Sequence, residues 1–267
     1  MMNITLGQFY PGDSLLHRMD PRTKILLTVA MIVTVFLVRG FLGYVALFLY
    51  IAAAARAAKV SLKVLAKGIK PILFIILLTF FLNVFFAAGE DVIFAWKFIT
   101  VSWTGVKMAI YMALRLILLV LGTQLLTLTT SPIALTDGLE RLFRPMSRIG
   151  FPAHELAMMM SIALRFIPTL IEETDKIMSA QKARGADFES GSIIDRAKAL
   201  VPILVPLFIS AFRRADELAV AMECRCYHGG HGRTKLHVLH YQTRDYLVLS
   251  VYAVILAAVI VLARFGL

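Results

Sequence analysis

Apolar and polar residues alternate along this chain in long blocks. A membrane-spanning helix needs about 20 mostly apolar residues, and the two earliest blocks are near the short limit for that length. We therefore expect the first two helices to borrow flanking residues. The apolar blocks cover about 23–38, 41–55, 71–88, 106–128 and 246–262, and they predict five transmembrane helices.

The segment 129–245 has a different pattern, in which two long helical stretches change character along their length. The helices predicted at about 153–183 and 193–224 each begin apolar and end amphipathic and charged. Both contain proline, which removes a backbone donor and clashes with the preceding turn, so both should bend. We expect their charged ends to project into water, whereas their apolar halves can lie in or against the bilayer. The internal prolines are Pro168, Pro202 and Pro206.

Composition supports a membrane protein. Of the 267 residues, 59% are hydrophobic and the mean hydropathy is +0.79, whereas a soluble domain is roughly 45–50% apolar. The predicted fold class is an all-α polytopic membrane protein with about five transmembrane helices plus long bent cytoplasmic helices. Its predicted parts are an N-terminal bundle of four spans (1–128), a cytoplasmic helical domain (129–245) and a C-terminal transmembrane helix (246–267).

The charge distribution predicts the orientation. The net charge of +11 indicates basic cytoplasmic faces rather than a nucleic-acid partner. Segments 17–24 and 56–70 are basic, whereas loops 39–40 and 89–104 are poor in Lys and Arg. Because Lys and Arg favour the cytoplasmic side, we expect the N-terminus, the 56–70 loop and the segment after the fourth span to be cytoplasmic. Lysines at helical spacing predict a basic stripe on one surface helix: Lys59, Lys63, Lys67 and Lys70.

Arg115 lies inside the fourth predicted span, where a charged side chain is costly. In a structural role, it either faces the interior of the bundle or lies close enough to an interface to extend its charge into the headgroups; in a functional role, it lines an ion path. The chain has no Gly-rich phosphate loop ending in Lys-Ser or Lys-Thr, so we do not expect it to hydrolyse ATP. Nucleophile-elbow and zinc-protease motifs are also absent, and the sequence predicts a protein that is not an enzyme.

A cluster of thiol and imidazole side chains near the end of the second long helix resembles a metal-ligand set. Its spacings match no zinc module, and the stretch follows a helix end. We therefore favour a solvated histidine-bearing loop over a metal site, and we predict no metal ligand in this chain. The cluster comprises Cys224, Cys226, His228, His231, His237 and His240.

A pattern in the second half of the chain occurs twice. Residues 175–185 and 216–226 share Asp, Ala and Arg at equal offsets, 41 residues apart, and each copy ends a long predicted helix. A single Arg at a helix C-terminus gains only ~0.3–1 kcal/mol from the helix dipole. Two matching copies favour two similar binding sites on partner proteins, where the planar guanidinium would bind carboxylates or carbonyls. Gly185 is predicted to end the first helix in the left-handed conformation.

At these residues the chain resembles the transmembrane T component of energy-coupling factor (ECF) transporters, which are ABC-type importers of vitamins and metal ions. That family carries an Ala-Arg-Gly motif at the end of each of two cytoplasmic coupling helices. Ala183-Arg184-Gly185 matches the first, whereas the second reads Cys224-Arg225-Cys226. Because cysteine adopts the left-handed conformation less readily than glycine, we expect the second helix to end in a different geometry from the first. Segments 20–24, 128–132 and 163–168 are also similar to the family.

The resemblance implies an energy-coupling role. Two cytoplasmic ATPase subunits would each receive one helix end, with Arg184 and Arg225 as anchors. ATP and Mg²⁺ would be bound by those ATPases, so this chain would need no cofactor. A separate membrane-embedded S component would capture the substrate, and ATP-driven motion would be relayed to it. Many S components can share one T component in the family, so the substrate is not written in this chain.

Three other interpretations remain open at this stage. The first is a T component dedicated to cobalt or nickel. The second is a stand-alone secondary transporter or channel that uses Arg115 and needs no ATPase partner. The third is a metal-dependent membrane enzyme built on the Cys/His cluster. The paired Arg motif explains the long cytoplasmic segment, which the last two interpretations leave unexplained.

Overall fold

The computed structural model describes residues 9–38, 40–86, 91–96, 99–188, 192–230 and 238–264. Short 3-10 turns at Lys70–Ile72 and Arg144–Ile149 separate some of the helices. The α-helices are α1 (Pro21–Leu37), α2 (Phe41–Ala57), α3 (Leu62–Ile69), α4 (Leu73–Phe86), α5 (Trp103–Thr129), α6 (Pro132–Phe143), α7 (Ala153–Ala183), α8 (Ile193–Cys224) and α9 (Thr243–Arg264).

Four helical segments in the described part of the chain are long and apolar enough to cross a membrane. The all-α polytopic fold class is therefore confirmed. One of these segments joins α3 and α4, which the sequence separated into a surface helix and a third span. Another is α7, which lies in the predicted cytoplasmic domain 129–245 and whose apolar first half, expected to lie in or against the bilayer, gives it the composition of a span. The four segments are Lys63–Phe86, Trp103–Thr129, Ala153–Ala183 and Thr243–Leu262, and α2 is a shorter apolar helix.

Helix starts follow the capping signals in the sequence. Asp20 is the N-cap of α1, where its carboxylate accepts a hydrogen bond of 2.9 Å from the Arg22 backbone N–H, and Pro21 occupies the first helical position. At the start of α8, Ser192 accepts from the Ile194 N–H at 3.2 Å, and Asp195 accepts from the Ser192 N–H at 3.3 Å. Such caps typically contribute about 1 kcal/mol each.

The predicted lysine stripe does not lie on one helix. Lys59 has a φ of +55° and lies in the turn between α2 and α3. Lys63 and Lys67 belong to α3, and Lys70 begins the 3-10 turn that follows. The left-handed backbone at Lys59 breaks the helical period. The stripe therefore consists only of Lys63 and Lys67 in α3 and Lys70 just after it.

A β-hairpin occupies part of the loop predicted at 89–104. Strand β1 (Val92–Trp96) pairs antiparallel with β2 (Ile99–Ser102), with Trp96 opposite Ile99 and a register irregularity between Val92 and Phe94. Ser102 then caps α5, because its Oγ accepts from the Gly105 N–H at 3.0 Å. The hairpin therefore leads directly into the fourth predicted span.

The larger of two compact units comprises 7–139 and 238–267. Its core is formed by apolar side chains from α1, α2, α5 and α9, and Thr34 of α1 is hydrogen-bonded to the Tyr252 hydroxyl of α9 at 2.6 Å. This bond satisfies two polar groups inside an otherwise apolar bundle. Apolar core residues with at most 1% exposure are Val35, Leu47, Ala109, Leu118 and Val259.

A buried charged cluster joins the start of α1 to the start of α9. Asp245 accepts from the Asp20 backbone N–H at 3.0 Å and from the Gln242 N–H at 2.8 Å. The Arg22 guanidinium donates two hydrogen bonds, of 3.0 and 2.7 Å, to the Asp20 carboxylate, and it lies 4.0 Å from the Tyr241 ring centroid. Burial raises the pKa of Asp20, but the hydrogen bonds and charge of Arg22 outweigh burial and hold that pKa below its ordinary value.

Candidate functional site

The first helix end, 183–185, closes α7 with a Schellman motif. The Gly185 N–H donates to the Lys182 carbonyl at 3.0 Å, and the Ala186 N–H donates to the Gln181 carbonyl at 3.0 Å. Gly185 has a φ of +87°, the left-handed conformation that this motif requires. The prediction for Gly185 is therefore confirmed, and Arg184 is the C-cap residue.

The second helix end, 224–226, closes α8 with the same motif. The Cys226 N–H donates to the Glu223 carbonyl at 2.8 Å, and the Tyr227 N–H donates to the Met222 carbonyl at 3.0 Å. Cys226 is left-handed, with a φ of +53°. The expectation that this end is set differently is therefore wrong. The two capping hydrogen bonds offset the left-handed backbone, which costs a residue with a Cβ roughly 1–2 kcal/mol.

Both arginines are presented outward at these ends. Arg184 and Arg225 are exposed C-cap residues with nearly equal backbone angles, φ −87° and ψ 5° against φ −93° and ψ 13°. Within the described residues, neither guanidinium has a hydrogen-bond or ion-pair partner. Both cysteines of the second copy are free thiols. The residues on either side of each arginine are small and exposed, namely Ala183, Gly185, Cys224 and Cys226.

An ion pair links α7 and α8 before they reach these ends. The Arg214 guanidinium donates to the Glu173 carboxylate at 2.7 Å, and both side chains are partly buried. Glu173 and Arg214 are also 41 residues apart, the offset of the repeat. Sequence reasoning missed this pair, although opposite charges at equivalent repeat positions were the available signal.

The second helix end is also anchored to the start of α7. The Tyr227 hydroxyl lies 3.4 Å from His154 Nε2, and His154 Nδ1 lies 3.0 Å from the Glu140 carboxylate. A Cβ at Gly230 would approach the His154 ring to 2.5 Å, so glycine permits the close passage of the chain there. The C-terminal end of α8 therefore lies beside the N-terminal end of α7.

Comparison with known proteins agrees with this geometry. The family described as cobalt transport protein (CbiQ) matches residues 12–236. The energy-coupling factor transporter transmembrane protein EcfT of Clostridium kluyveri is 55% identical over 98% of this chain and 97% of its own length. The chain belongs to the EcfT family. Proteins of the same name are 57% identical in Acidaminococcus fermentans, over 92% of each chain, and 48% identical in Bacillus subtilis, over 99% of each chain.

Membership in the EcfT family makes this chain the membrane component of an energy-coupling factor transporter and not an enzyme. The predictions of a transport role and of membrane localisation are confirmed at that level. The metal-dependent enzyme interpretation has no support from the family. In the described part of the chain, no group of three or more His, Cys, Asp or Glu side chains is placed to bind a metal ion. His231 and His237 lie outside the described residues, so the expectation of no metal site stays a prediction.

Arg115 lies among aromatic side chains of neighbouring helices in this EcfT-family chain. Its Nη2 donates to the Tyr44 hydroxyl at 3.2 Å, and its guanidinium carbon lies 5.5 Å from the Phe36 ring centroid. Tyr44 in turn stacks on Tyr111, with ring centroids 5.6 Å apart. Arg115 Nε is buried without a hydrogen-bond partner among the described residues. The side chain is therefore directed between α1, α2 and α5.

Proposed function

We propose that this chain is the energy-coupling subunit of an ABC-type ECF importer in a bacterial-type plasma membrane. In this proposal the two helix ends bind two cytoplasmic ATPase subunits, which hold ATP and Mg²⁺. The chain relays their ATP-driven motion to a membrane-embedded S component, which captures vitamins or other micronutrients. The observation that carries the proposal is the pair of equivalent exposed helix ends, each presenting one unpaired arginine.

The chemistry of the helix ends suits binding to a protein groove. Arg184 and Arg225 each offer five N–H donors in a planar fork, which can bind carboxylates or carbonyls in a partner. The left-handed residues that follow them turn the chain away, so each arginine stands at the tip of its helix. Two similar helix tips suit two ATPase subunits that would present two similar grooves.

An exposed apolar stripe on α8 supports the proposed contact with the S component. These side chains recur every three or four residues, so they share one face of the helix. Contiguous exposed apolar surface marks a protein or membrane interaction site. We propose that this stripe contacts the S component in the bilayer. Its members are 46–68% exposed: Leu200, Val201, Leu204, Val205, Phe208, Ile209 and Phe212.

The coupling proposal is tested by co-purification with candidate ATPase subunits, together with ATP-dependent uptake. We compare wild type with Arg184→Ala, Arg225→Ala and the double variant. Lys176→Ala and Arg213→Ala are matched controls, because they remove exposed positive charges from the same two helices. Complex formation and uptake should fall in each single variant and most completely in the double variant. Wild-type binding and transport in all variants would refute the proposal.

The transported substrate has two candidates within this proposal. The matching family is described as a cobalt transport protein, so a dedicated cobalt or nickel importer is the second candidate. Uptake of cobalt ions and of vitamins, measured in the same cells with the same ATPases, separates the two. Loss of only metal uptake on deletion of this chain would support the dedicated metal importer.

A further inference from the structure

An apolar cavity of about 260 Å³ lies inside the larger unit, between α1, α2, α5 and α9. It lies where α1 and α9 begin and where α2 and α5 end, so it is at one common end of these four helices. For comparison, an apolar cavity of about 150 Å³ in a protein interior holds a benzene molecule. Apolar residues that line it include Leu27, Met31, Ile51, Ala54, Leu125 and Val248.

A second, polar cavity of about 230 Å³ adjoins the apolar one. Three residues line both cavities, namely Met19, Lys24 and Thr129. The second cavity is also lined by polar residues, which include His17 and Thr130, and by apolar residues, which include Phe9 and Pro21. The apolar cavity and the polar cavity therefore meet at Lys24.

Two buried polar side chains in the second cavity have unused hydrogen-bonding capacity. Lys24 is 7% exposed, and its Nζ donates to the Thr129 carbonyl at 2.9 Å and the His17 carbonyl at 3.3 Å. An ammonium group has three donors, so one remains. Thr130 is 5% exposed, and its hydroxyl has no partner among the described residues. A buried hydroxyl without a partner is costly, and a ligand acceptor would remove that cost.

The local charges favour an anionic ligand. The Asp13 carboxylate lines the polar cavity and is paired there with Arg18 at 2.5 Å, and the Asp20 carboxylate is paired with Arg22 at 2.7 Å. Asp245 accepts two backbone hydrogen bonds at the start of α9. The Lys24 ammonium is therefore the cation that lines both cavities without a carboxylate partner among the described residues.

We propose that the two cavities together bind one anionic phospholipid. An acyl chain occupies the apolar cavity, and the phosphate occupies the polar cavity, where Lys24 Nζ and Thr130 Oγ1 donate hydrogen bonds to it. Helix ends that carry charges lie at the level of the lipid headgroups, and basic pockets between transmembrane helices bind anionic headgroups. The proposal concerns the membrane bundle alone and does not depend on the coupling role of Arg184 and Arg225.

The test measures the melting temperature of the full chain, purified in detergent and depleted of lipid, after adding a single lipid. Phosphatidylglycerol, phosphatidylcholine and inorganic phosphate are compared. Ala54→Leu fills the apolar cavity, and Ala52→Leu is its control on the same helix outside the cavity. Thr130→Val removes the unpaired hydroxyl, so it costs no hydrogen bond in the free protein. Thr127→Val is its control outside both cavities.

Phosphatidylglycerol should raise the melting temperature of wild type by roughly 5–10 °C at about 100-fold excess over its Kd. Ala54→Leu and Thr130→Val should lose most of this rise, whereas Ala52→Leu and Thr127→Val should keep it. Phosphatidylcholine carries the same phosphate diester but no net charge, so an equal rise with it would overturn the selectivity for an anionic lipid. An equal rise with inorganic phosphate would overturn the lipid assignment. Wild-type responses in both cavity variants would place the lipid elsewhere.

Discussion

Glu173 of α7 and Arg214 of α8 form an ion pair of 2.7 Å at positions that the 41-residue repeat makes equivalent. When two elements are related by a local twofold rotation, equivalent residues contact each other at the rotation axis. The contact between these two residues has that form. From this pair, each helix continues for 11 residues to its arginine, Arg184 or Arg225. That length corresponds to about 16 Å of helix. One ion pair therefore marks a point from which both arginines are equally distant along the chain.

Charge reversal at this pair should impair transport more than stability. Glu173→Arg and Arg214→Glu each place like charges together, whereas the double exchange restores an opposite pair. Because both side chains are partly exposed, each single change should lower the free energy of unfolding by only about 1 kcal/mol. ATP-dependent uptake should fall in both single variants and recover in the double exchange. Arg213→Glu, at the exposed neighbouring position, is the control. Uptake that stays low in the double exchange would show that the pair does not align the helix ends.

Glycine at the second helix end should stabilise the protein. Cys226 has a φ of +53°, and a residue with a Cβ pays roughly 1–2 kcal/mol there. Cys226→Gly should therefore raise the melting temperature by roughly 2–8 °C. Cys224→Gly is the control, because it also removes one thiol but places glycine in the last helical position, where glycine costs about 1 kcal/mol. Equal melting temperatures for the two variants would contradict the strain at Cys226.

The bounds of the two long helices could be predicted from the sequence because their signals are local. The structure ends α7 at Ala183 and α8 at Cys224, as the position of the repeat indicated. The starts are marked by proline and glycine punctuation before Ala153 and by a capping serine at Ser192. Each signal acts through backbone hydrogen bonds within a few residues, so it can be recognised without tertiary contacts.

Three features of the fold were missed, and each had a different physical reason. The hairpin formed by Val92–Trp96 and Ile99–Ser102 has short apolar strands, and such runs cannot be assigned by periodicity alone. The ion pair between Glu173 and Arg214 depends on how α7 packs against α8. Lys59 departs from the predicted helix because the chain turns between α2 and α3, which the regular lysine spacing did not indicate.

The Asp20 carboxylate should make stability depend on pH. Because Arg22 lowers the folded-state pKa of Asp20, the ionised group stabilises the fold above the pKa of the unfolded chain. That contribution is lost as the pH falls through the folded-state pKa. Asp20→Asn keeps a capping side chain but leaves the Arg22 charge unpaired. It should therefore lower the free energy of unfolding at neutral pH by up to about 3 kcal/mol.

Thermal melts from about pH 7 down to about pH 3, which spans the ordinary pKa of aspartate, measure this difference. The gap between wild type and Asp20→Asn should narrow as the pH falls. Asp216→Asn, at an exposed position of α8, is the control for the loss of one carboxylate. A gap that is constant across this range would mean that the substitution acts through packing and not through the charge of Asp20.

Replacing Arg115 should show whether this residue has a structural role or lines an ion path. Arg115→Met removes one hydrogen bond to Tyr44, worth about 1 kcal/mol, and also removes the buried Nε that has no partner. These effects oppose each other, so the free energy of unfolding should change by no more than about 1 kcal/mol. Tyr44→Phe leaves the partly buried guanidinium without this acceptor, so it should cost more, about 1–3 kcal/mol.

Uptake assays with and without ATPase subunits complete the Arg115 test. If Arg115 only packs between Phe36 and Tyr44, Arg115→Met should retain ATP-dependent uptake. Neither the wild-type chain nor Arg115→Met should then transport without the ATPases. A stand-alone transporter would instead show uptake by the wild-type chain alone, and Arg115→Met would abolish it. Because methionine fills much of the same apolar volume without the charge, that loss would assign the ion path to the guanidinium rather than to packing.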